Sequence, residues 1–272
     1  MIKTVKTRYS DNFSFYENDI IIGKSLDLYG EYAQREIDFL LGVLNDRCIV
    51  YDIGSNIGVH ATAFASVAKA VYCFEPNQKN FTLLLKNTQH LKNVFAINAA
   101  VTNKNGIIPV QDFDITSQEG NYGSVHVGEG SAAALGLQLD TWNVRKPDLI
   151  KIDVEGHEYQ VVQGCDNIIR TANPVVYFEA HETPDLPELY DYFKELNYSL
   201  YWCEVVNYNP GNFNQNTDNV FEGSGTFSIL SVPPTYNWKL PLDVMTDRDD
   251  DAFKLIERAK ERKKKEKQNE SV

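Results

Sequence analysis

Residues 49–65 read IVYDIGSNIGVHATAFA, and this stretch decides the fold of the chain. A run of β-branched and aromatic residues at 49–53 leads into a glycine turn, and a segment with helical spacing follows at about 57–68. Glycines in such a turn permit a positive φ and let the backbone approach a ligand closely. The stretch therefore predicts the first β-α unit of a parallel sheet.

The same alternation of short apolar runs and helical segments continues outward from this unit. It predicts an α/β fold in which helices cover both faces of a mostly parallel sheet. Together with 49–53, the predicted strands number seven. The six that follow the first are 70–75, 94–101, 148–153, 174–179, 198–205 and 226–232.

We divide the chain into three regions. Residues 1–45 form an N-terminal cap segment with a strand or hairpin and a helix at 30–44, residues 46–245 form the α/β domain, and residues 246–272 form a charged, exposed tail. A long excursion at 102–141 interrupts the α/β pattern. Because loops of this length in compact domains are functional or disordered, we interpret its stretch 121–124 as a substrate lid or a disordered loop.

The composition excludes several classes of protein. With 26 basic and 38 acidic residues the formal charge is −12, which disfavours binding to nucleic acid. There is no apolar run of signal-peptide or membrane-spanning length, so we expect a cytoplasmic protein without a membrane partner. Four cysteines without a CxxC pair predict buried reduced thiols and no zinc site.

The turn after the first strand indicates the charge of its ligand. A dinucleotide site needs a glycine where Asn56 stands, and the Asp52 carboxylate would repel a pyrophosphate by about 4 kcal/mol at about 4 Å in a medium of dielectric near 20. The same carboxylate stabilises a sulfonium and an ammonium group, which favours S-adenosylmethionine. Glu75 ends the next strand, where an acid can accept both ribose hydroxyls of either ligand. An NAD-dependent oxidoreductase stays open as the alternative.

Six segments of the chain are familiar. They occur in one order over residues 49–182 and read YDIGSNIGVHATAFA, VYCFEPN, NAAVTNKNG, LDTW, LIKIDVEGHEYQVVQG and VVYFEAHE. In this the chain resembles the FkbM family of class I S-adenosylmethionine-dependent methyltransferases. The resemblance implies a Rossmann-like sheet of seven strands whose last strand is antiparallel. It also implies methyl transfer to a hydroxyl of a sugar, glycan or small metabolite.

The resemblance further assigns roles to the positions that match the family's motifs. It implies that the methionine part of the donor is surrounded by Asp52, Gly54, Asn56 and Gly58, the ribose by Glu75, and the adenine by Asn98, Ala99 and Ala100. Asp153 corresponds to the acid beside the methyl group. The family often has alanine where His157 stands.

The ends of the fourth and fifth predicted strands supply the candidates for acid–base chemistry. Both ends face the ligand crevice of an open α/β sheet. We expect Asp153 to orient the donor's amino group or the acceptor, and His157 or His181 to act as the base, because histidine titrates near neutral pH. A site without metal is the preferred interpretation. As an alternative, Asp153, Glu179 and His181 could hold Mg²⁺ or Mn²⁺.

Two further functions remain open from the residues alone. One is methylation of RNA, for which the basic residues at 260–267 would supply contacts, although such a run is usually only solvated. The other is a binding protein that keeps the methyltransferase fold without turnover. The preferred partner is a carbohydrate or small-molecule acceptor, and the oligomeric state is left undetermined.

Overall fold

A computed structural model describes the chain at residues 1–115, 119–142, 145–180, 183–222, 224–236, 238, 240–252 and 254–257. The helices and strands are β1 (Ile2–Val5), β2 (Phe13–Tyr16), α1 (Ile22–Tyr29), α2 (Gln34–Leu41), β3 (Ile49–Ile53), α3 (Val59–Ala65), β4 (Ala70–Phe74), α4 (Gln78–Thr88), β5 (Val94–Ile97), β6 (Ala100–Val101), β7 (Gly106–Val110), β8 (Ala132–Leu137), β9 (Leu149–Ile152), α5 (Glu158–Gly164), α6 (Asp166–Ala172), β10 (Val175–Glu179), α7 (Leu186–Glu195), β11 (Ser199–Val206), β12 (Gly225–Val232) and β13 (Asp243–Val244).

The main sheet has the strand order β13-β11-β12-β10-β9-β3-β4-β5. Its five strands from β10 to β5 are parallel, and β12 runs antiparallel between β10 and β11. The predicted Rossmann-like, mostly parallel sheet with an antiparallel final strand is therefore confirmed. The predicted number of seven strands is one too low across the described residues, because β13 also pairs with β11. A strand of two residues is too short to show any periodicity.

Helices cover both faces of this sheet, as the sequence predicts. Along β3, Tyr51 and Ile53 face the hydrophobic core that contains α5, α6 and α7, whereas Val50 faces the core that contains Leu40 of α2 and Phe64 of α3. A parallel strand that is buried on both faces reads as a nearly continuous apolar run. Asp52 interrupts this run at a fully buried position.

The N-terminal segment differs from its prediction. Strands β1 and β2 form the predicted hairpin, but the helix predicted at 30–44 is shorter, since α2 covers only Gln34–Leu41. A helix that was not predicted, α1, precedes it and ends at Gly30 with φ 67°. A glycine in the left-handed conformation commonly ends a helix. The Asn87 side chain of α4 accepts the Ser14 N–H at 2.8 Å and donates to the Ile57 carbonyl at 2.8 Å. The hairpin is thereby tied to the glycine turn after β3.

The excursion predicted as a loop contains a second sheet with the order β6-β8-β7. The strand predicted at 94–101 is consequently divided, since β5 joins the main sheet and β6 joins the second one. Between β7 and β8 the chain passes α4, where the Tyr122 carbonyl accepts the Asn80 side-chain amide at 2.9 Å. The Ile20 N–H donates to the Gly120 carbonyl at 3.1 Å. The stretch predicted as a lid, 121–124, is held by these contacts.

Three further predictions concern the whole chain. The four cysteines are free and buried, as the sequence predicts. In the part of the chain that the structure describes, no helix combines the length and the apolar character needed to cross a bilayer. Most of the predicted tail at 246–272, including the basic run 260–267, lies outside the described residues.

Candidate active site

A cavity of about 340 Å³ opens at the carboxyl ends of the parallel strands, which is where α/β sheets bind ligands. Its floor consists of the turn 54–57 after β3, Glu75 after β4, residues 151–155 of β9 and the loop after it, and Glu179 of β10. The N-terminal segment, α3 and residues of the predicted lid form the walls. The cavity thus joins segments that are distant in sequence.

The glycine turn is shaped by close contact between two strand ends. Gly54 has φ 77°, and a Cβ atom there would lie 1.8 Å from the Asp153 carbonyl oxygen. Gly58 has φ 95°, packs against Leu84 of α4, and is not among the described residues that line the cavity. Asn56 does line the cavity, with φ 50°. The predicted motif therefore divides into lining residues and residues that set the geometry of the turn.

Glu75 lies at the cavity and is bound to the adjoining backbone. The Asn77 N–H donates to its Oε1 at 2.8 Å, and the Asn56 N–H donates to its Oε2 at 2.9 Å. Burial raises the pKa of Glu75 to about 7, although both N–H groups act in the opposite direction. The carboxyl group stands where we predict the ribose contact, and that role stays a prediction.

The predicted adenine residues lie behind the cavity. The Asn98 side-chain amide donates to the Glu75 carbonyl at 2.8 Å and to the Pro76 carbonyl at 3.3 Å. Ala99 and Ala100 are buried in two separate hydrophobic clusters. None of the three appears among the described lining residues. Asn98 therefore shapes the edge of the cavity by holding the backbone of residues 75 and 76.

Asp52 occupies a different position from the one that we predict. It is fully buried beneath the lining, and both of its carboxylate oxygens accept no hydrogen bond in the described structure. Lys151, its register partner on β9, has Nζ 3.7 Å from Asp52 Oδ1. Along each strand, successive side chains point to opposite faces of the sheet. Because Asp52 and Lys151 are partners in register, both point to the same face, and the Asp52 carboxylate lies beside the Lys151 ammonium group.

Lys151 is a site residue that the sequence analysis misses. Its Nζ donates to Asp153 Oδ2 at 3.1 Å and to the Gly54 carbonyl at 3.4 Å, and the side chain is buried. Burial by itself would lower the pKa of Lys151, but Asp153 and Asp52 outweigh it and raise that pKa. A lysine inside an otherwise apolar strand, LIKI, was the signal available. One ammonium group thus compensates two carboxylates.

Three carboxyl groups converge beside Lys151. Oxygen atoms of Asp153, Glu155 and Glu179 all lie within 4.8 Å of one another. Burial, followed by the charge of Asp153, raises the pKa of Glu155 to about 7 and that of Glu179 to about 10. Such an oxygen set fits an organic cation or a divalent metal ion. His181, which we predict as a base or a metal ligand, lies outside the described residues.

His157 does not reach the cavity. Its Nε2 is 3.0 Å from the Thr102 Oγ1, beneath the second sheet, and it is not among the described lining residues. Burial lowers the pKa of His157. His157 lies directly before α5, which begins at Glu158, so the chain has already left the direction of β9 at this residue. The position therefore does not support the predicted role of His157 as a base.

A different histidine lines the cavity. His60, the second residue of α3, has Nε2 3.0 Å from Glu36 Oε1 of α2, and each side chain is only 9% exposed. This pair is not predictable from the sequence, because Glu36 and His60 lie on separate helices. A polar residue at the start of the otherwise apolar helix VHATAFA was the available signal.

Comparison with known proteins gives the following similarities. A family model for the methyltransferase FkbM domain matches residues 52–200. The hexuronic acid methyltransferase AglP of Haloferax volcanii is 32% identical over 155 residues, which are 55% of this chain and 62% of that protein. The chain thus spans less than two thirds of the length of this relative.

Solved structures show weaker similarity. The methyltransferase FkbM of Methylobacillus flagellatus is 16% identical with a TM-score of 0.46, over 68% of this chain and 44% of that one. A SAM-dependent O-methyltransferase of Thermotoga maritima is 12% identical with a TM-score of 0.45, over 73% of this chain and 65% of that one. Because the family model alone covers more than half of the sequence, the chain belongs to the methyltransferase FkbM domain family.

Proposed function

We propose that this protein is an S-adenosylmethionine-dependent methyltransferase that methylates a hydroxyl oxygen of a sugar, glycan or small metabolite. One observation carries the proposal. The segments matched by the FkbM family model meet at a single cavity, and Gly54, Glu75 and Asp153 all line it. The named activity of the archaeal relative, on a hexuronic acid, supports a carbohydrate acceptor.

The charge of the cavity supports a cationic donor. Five of its lining residues are acids, and the lysine among the described lining residues already compensates two carboxylates. The five acids are Glu36, Glu75, Asp153, Glu155 and Glu179. A sulfonium with an ammonium group would relieve the repulsion among them, because opposite charges stabilise the ionised carboxylates. This fit favours S-adenosylmethionine over NAD, whose pyrophosphate is anionic.

Each half of the cavity has a proposed task. Glu75 and the turn at 54–56 hold the nucleoside and methionine parts of the donor, and Asp153 accepts from its ammonium group. S-adenosylmethionine supplies a methyl group on a good leaving group. Much of the acceleration then comes from holding the acceptor oxygen a little over 3 Å from the methyl carbon. Glu155 and Glu179 lie beyond Asp153, and we place the acceptor against them.

Calorimetric titration tests the donor. We expect wild-type protein to bind S-adenosylhomocysteine and S-adenosylmethionine but not NAD. Asp153→Asn should weaken binding of both sulfur compounds, whereas Asp11→Asn, at an exposed position, should leave it unchanged. Binding of NAD in place of S-adenosylhomocysteine would overturn the proposal.

A panel of sugars tests the acceptor. Mass spectrometry should detect the gain of one methyl group on a sugar hydroxyl, and the product should be absent when the donor is omitted. The panel includes uncharged sugars and uronates, since the archaeal relative is named for a hexuronic acid. Transfer to RNA with no transfer to any sugar would identify the RNA methyltransferase alternative.

Two conditions of the reaction are also proposals. We place the enzyme in the cytoplasm, since its four cysteines are buried and free. We propose catalysis without a metal, although Asp153, Glu155 and Glu179 could together hold a divalent ion. If a chelator abolished turnover and Mg²⁺ or Mn²⁺ restored it, the metal-dependent alternative would replace the proposal of catalysis without a metal.

A further inference from the structure

We infer that Glu36 and His60 form the pair that removes the proton from the acceptor hydroxyl; this rests on the proposed function. An alcohol is a poor nucleophile unless a base takes its proton in the transition state. Of the two histidines that the sequence suggests, His157 faces Thr102 and His181 lies outside the described residues. His60 is a histidine that does line the cavity.

The orientation of the ring suits a base. His60 Nε2 has no exposed surface and lies 3.0 Å from Glu36 Oε1, yet the residue lines the cavity. The part of the imidazole ring that faces the cavity is therefore the part without Nε2, and Nδ1 is the ring nitrogen on that side. The contact is an approach of two groups and not an aligned hydrogen bond, since Nε2 has no hydrogen-bond partner among the described residues. The nearby negative charge still favours a proton on Nε2, which leaves the lone pair on Nδ1. The carboxylate also stabilises the imidazolium that forms when Nδ1 accepts a proton.

The pair lies on the acceptor side of the cavity. Glu36 belongs to α2, which packs against α3 and β11. Burial and then the charge of Glu36 raise the pKa of Tyr177, a lining residue of β10. Strand β10 is separated from β4, the strand that ends at Glu75, by β9 and β3. His60 therefore adjoins the end of the cavity that contains Glu179.

Other ionisable groups also surround the pair. Those that interact electrostatically with Glu36 come from the segment before α2 and from β9, β10 and β11. They are Tyr32, Lys151, Tyr177 and Cys203. Lys151 is the cation among them, and it is already paired with Asp153 and Asp52. Glu36 is thus left to compensate a charged His60.

The proposed step balances as follows. The acceptor oxygen forms its bond to the methyl carbon while the bond between that carbon and sulfur breaks, and the electron pair of this bond returns to sulfur as a neutral thioether. The hydroxyl proton passes to His60 Nδ1. Glu36 stays ionised throughout, so the imidazolium and the carboxylate form an ion pair until the proton leaves to solvent.

The activity test compares three variants. His60→Gln and Glu36→Gln should lower kcat by about 10²- to 10⁴-fold, while the affinity for S-adenosylhomocysteine in calorimetry stays within about threefold of wild type. His90→Gln replaces an exposed histidine and should change neither. A folded His60→Gln that keeps kcat within threefold, or that loses donor affinity as steeply as kcat, would overturn the inference.

A spectroscopic test is independent of turnover. Nitrogen-15 NMR of labelled histidine should show the His60 proton on Nε2 in wild type, and this preference should weaken in Glu36→Gln. A proton on Nδ1 in wild type would contradict the pair as a base. If wild type fails to bind the donor, the proposed function fails, whereas the NMR result still decides how Glu36 orients the ring.

Discussion

The two halves of the cavity are built in different ways. In the half that we propose for the donor, Glu75 is held by backbone N–H groups of Asn56 and Asn77, which belong to neighbouring strand ends. In the half that we propose for the acceptor, Glu36, His60 and Glu179 come from two helices and a strand, and burial and neighbouring acids raise the pKa of Glu179 to about 10. Local backbone geometry thus fixes the first half, and packing between distant elements fixes the second.

Because the two halves are built differently, amino-acid substitutions should affect them differently. Residues of the donor half are part of the turns that join the central strands, so substitutions there disturb folding and donor binding together. Residues of the proposed acceptor half are side chains that project from helices and strands, and they do not form the turns between strands. Substitutions among them should alter catalysis and pH dependence more than stability.

The largest effect is expected from Gly54→Ala, which disturbs the contact between the turn after β3 and the residue that follows β9. The new Cβ would lie 1.8 Å from the Asp153 carbonyl oxygen at a φ of 77°, so β3 and β9 must separate, and we expect a loss of about 4 kcal/mol in the free energy of unfolding. Gly128→Ala is the matched control, because Gly128 also has a positive φ but nothing lies within 4 Å of its Cβ position. It should cost about 1 kcal/mol. Equal losses in urea denaturation would contradict the steric explanation.

Lys151→Met tests the cation on the floor of the cavity. Removing one partner of a buried ion pair costs about 3–5 kcal/mol, since Asp52 is fully buried and Lys151 is the cation beside it. The double variant with Asp52→Asn should recover part of this stability. Lys69→Met, at an exposed lysine, is the control. If the double variant were no more stable than Lys151→Met, Asp52 would not be the group that Lys151 compensates.

Glu75→Gln tests the donor half alone. An amide offers one acceptor where the carboxylate offers two and lacks its charge, so S-adenosylhomocysteine should bind about 10- to 100-fold more weakly. Glu129→Gln changes an exposed acid and should not affect binding. Unchanged affinity in Glu75→Gln, measured by calorimetry, would remove Glu75 from the proposed donor site.

The smallest effect is expected from Glu155→Gln in the acceptor half. Burial raises the pKa of Glu155 from its ordinary value of 4.5 to about 7. The folded protein therefore holds this proton more tightly than the unfolded chain, and stability is lost as the pH rises through that interval. After a discount for the partial exposure of Glu155, the variant should gain about 3–5 °C in Tm near pH 8 relative to wild type, and little near pH 4. Glu222→Gln, at an exposed acid, should show no such difference, and a gain that is equal at both pH values would contradict the assignment.

The residues of the proposed donor half could be predicted from the sequence more fully than those of the proposed acceptor half. The strand and turn at 49–58, the acid Glu75 and the acid Asp153 are local patterns, and the structure brings Gly54, Glu75 and Asp153 together at the cavity. The second sheet was not predictable in this way. Its strands β7 and β8 pair across a long connection, and β7 exposes the apolar side chain of Ile107 while it buries Ile108 and Val110.

The position of a side chain within the site was also beyond local reasoning. Asp52 and Lys151 sit on separate strands, and their pairing exists only because β3 and β9 are neighbours in register. His157 illustrates the reverse error, since closeness in sequence to Asp153 suggests a shared site, whereas α5 turns its side chain toward Thr102.

By itself the sequence determined the alternation of strands and helices, the glycine turn after the first central strand and the family, because each depends on residues that are close together along the chain. Tertiary structure alone decided that Glu36 meets His60, that Lys151 compensates Asp52 and that Glu155 joins Asp153 and Glu179. The physical reason is that charge and burial depend on distances in space. Those distances are set when α2, the second sheet and the main sheet pack against one another.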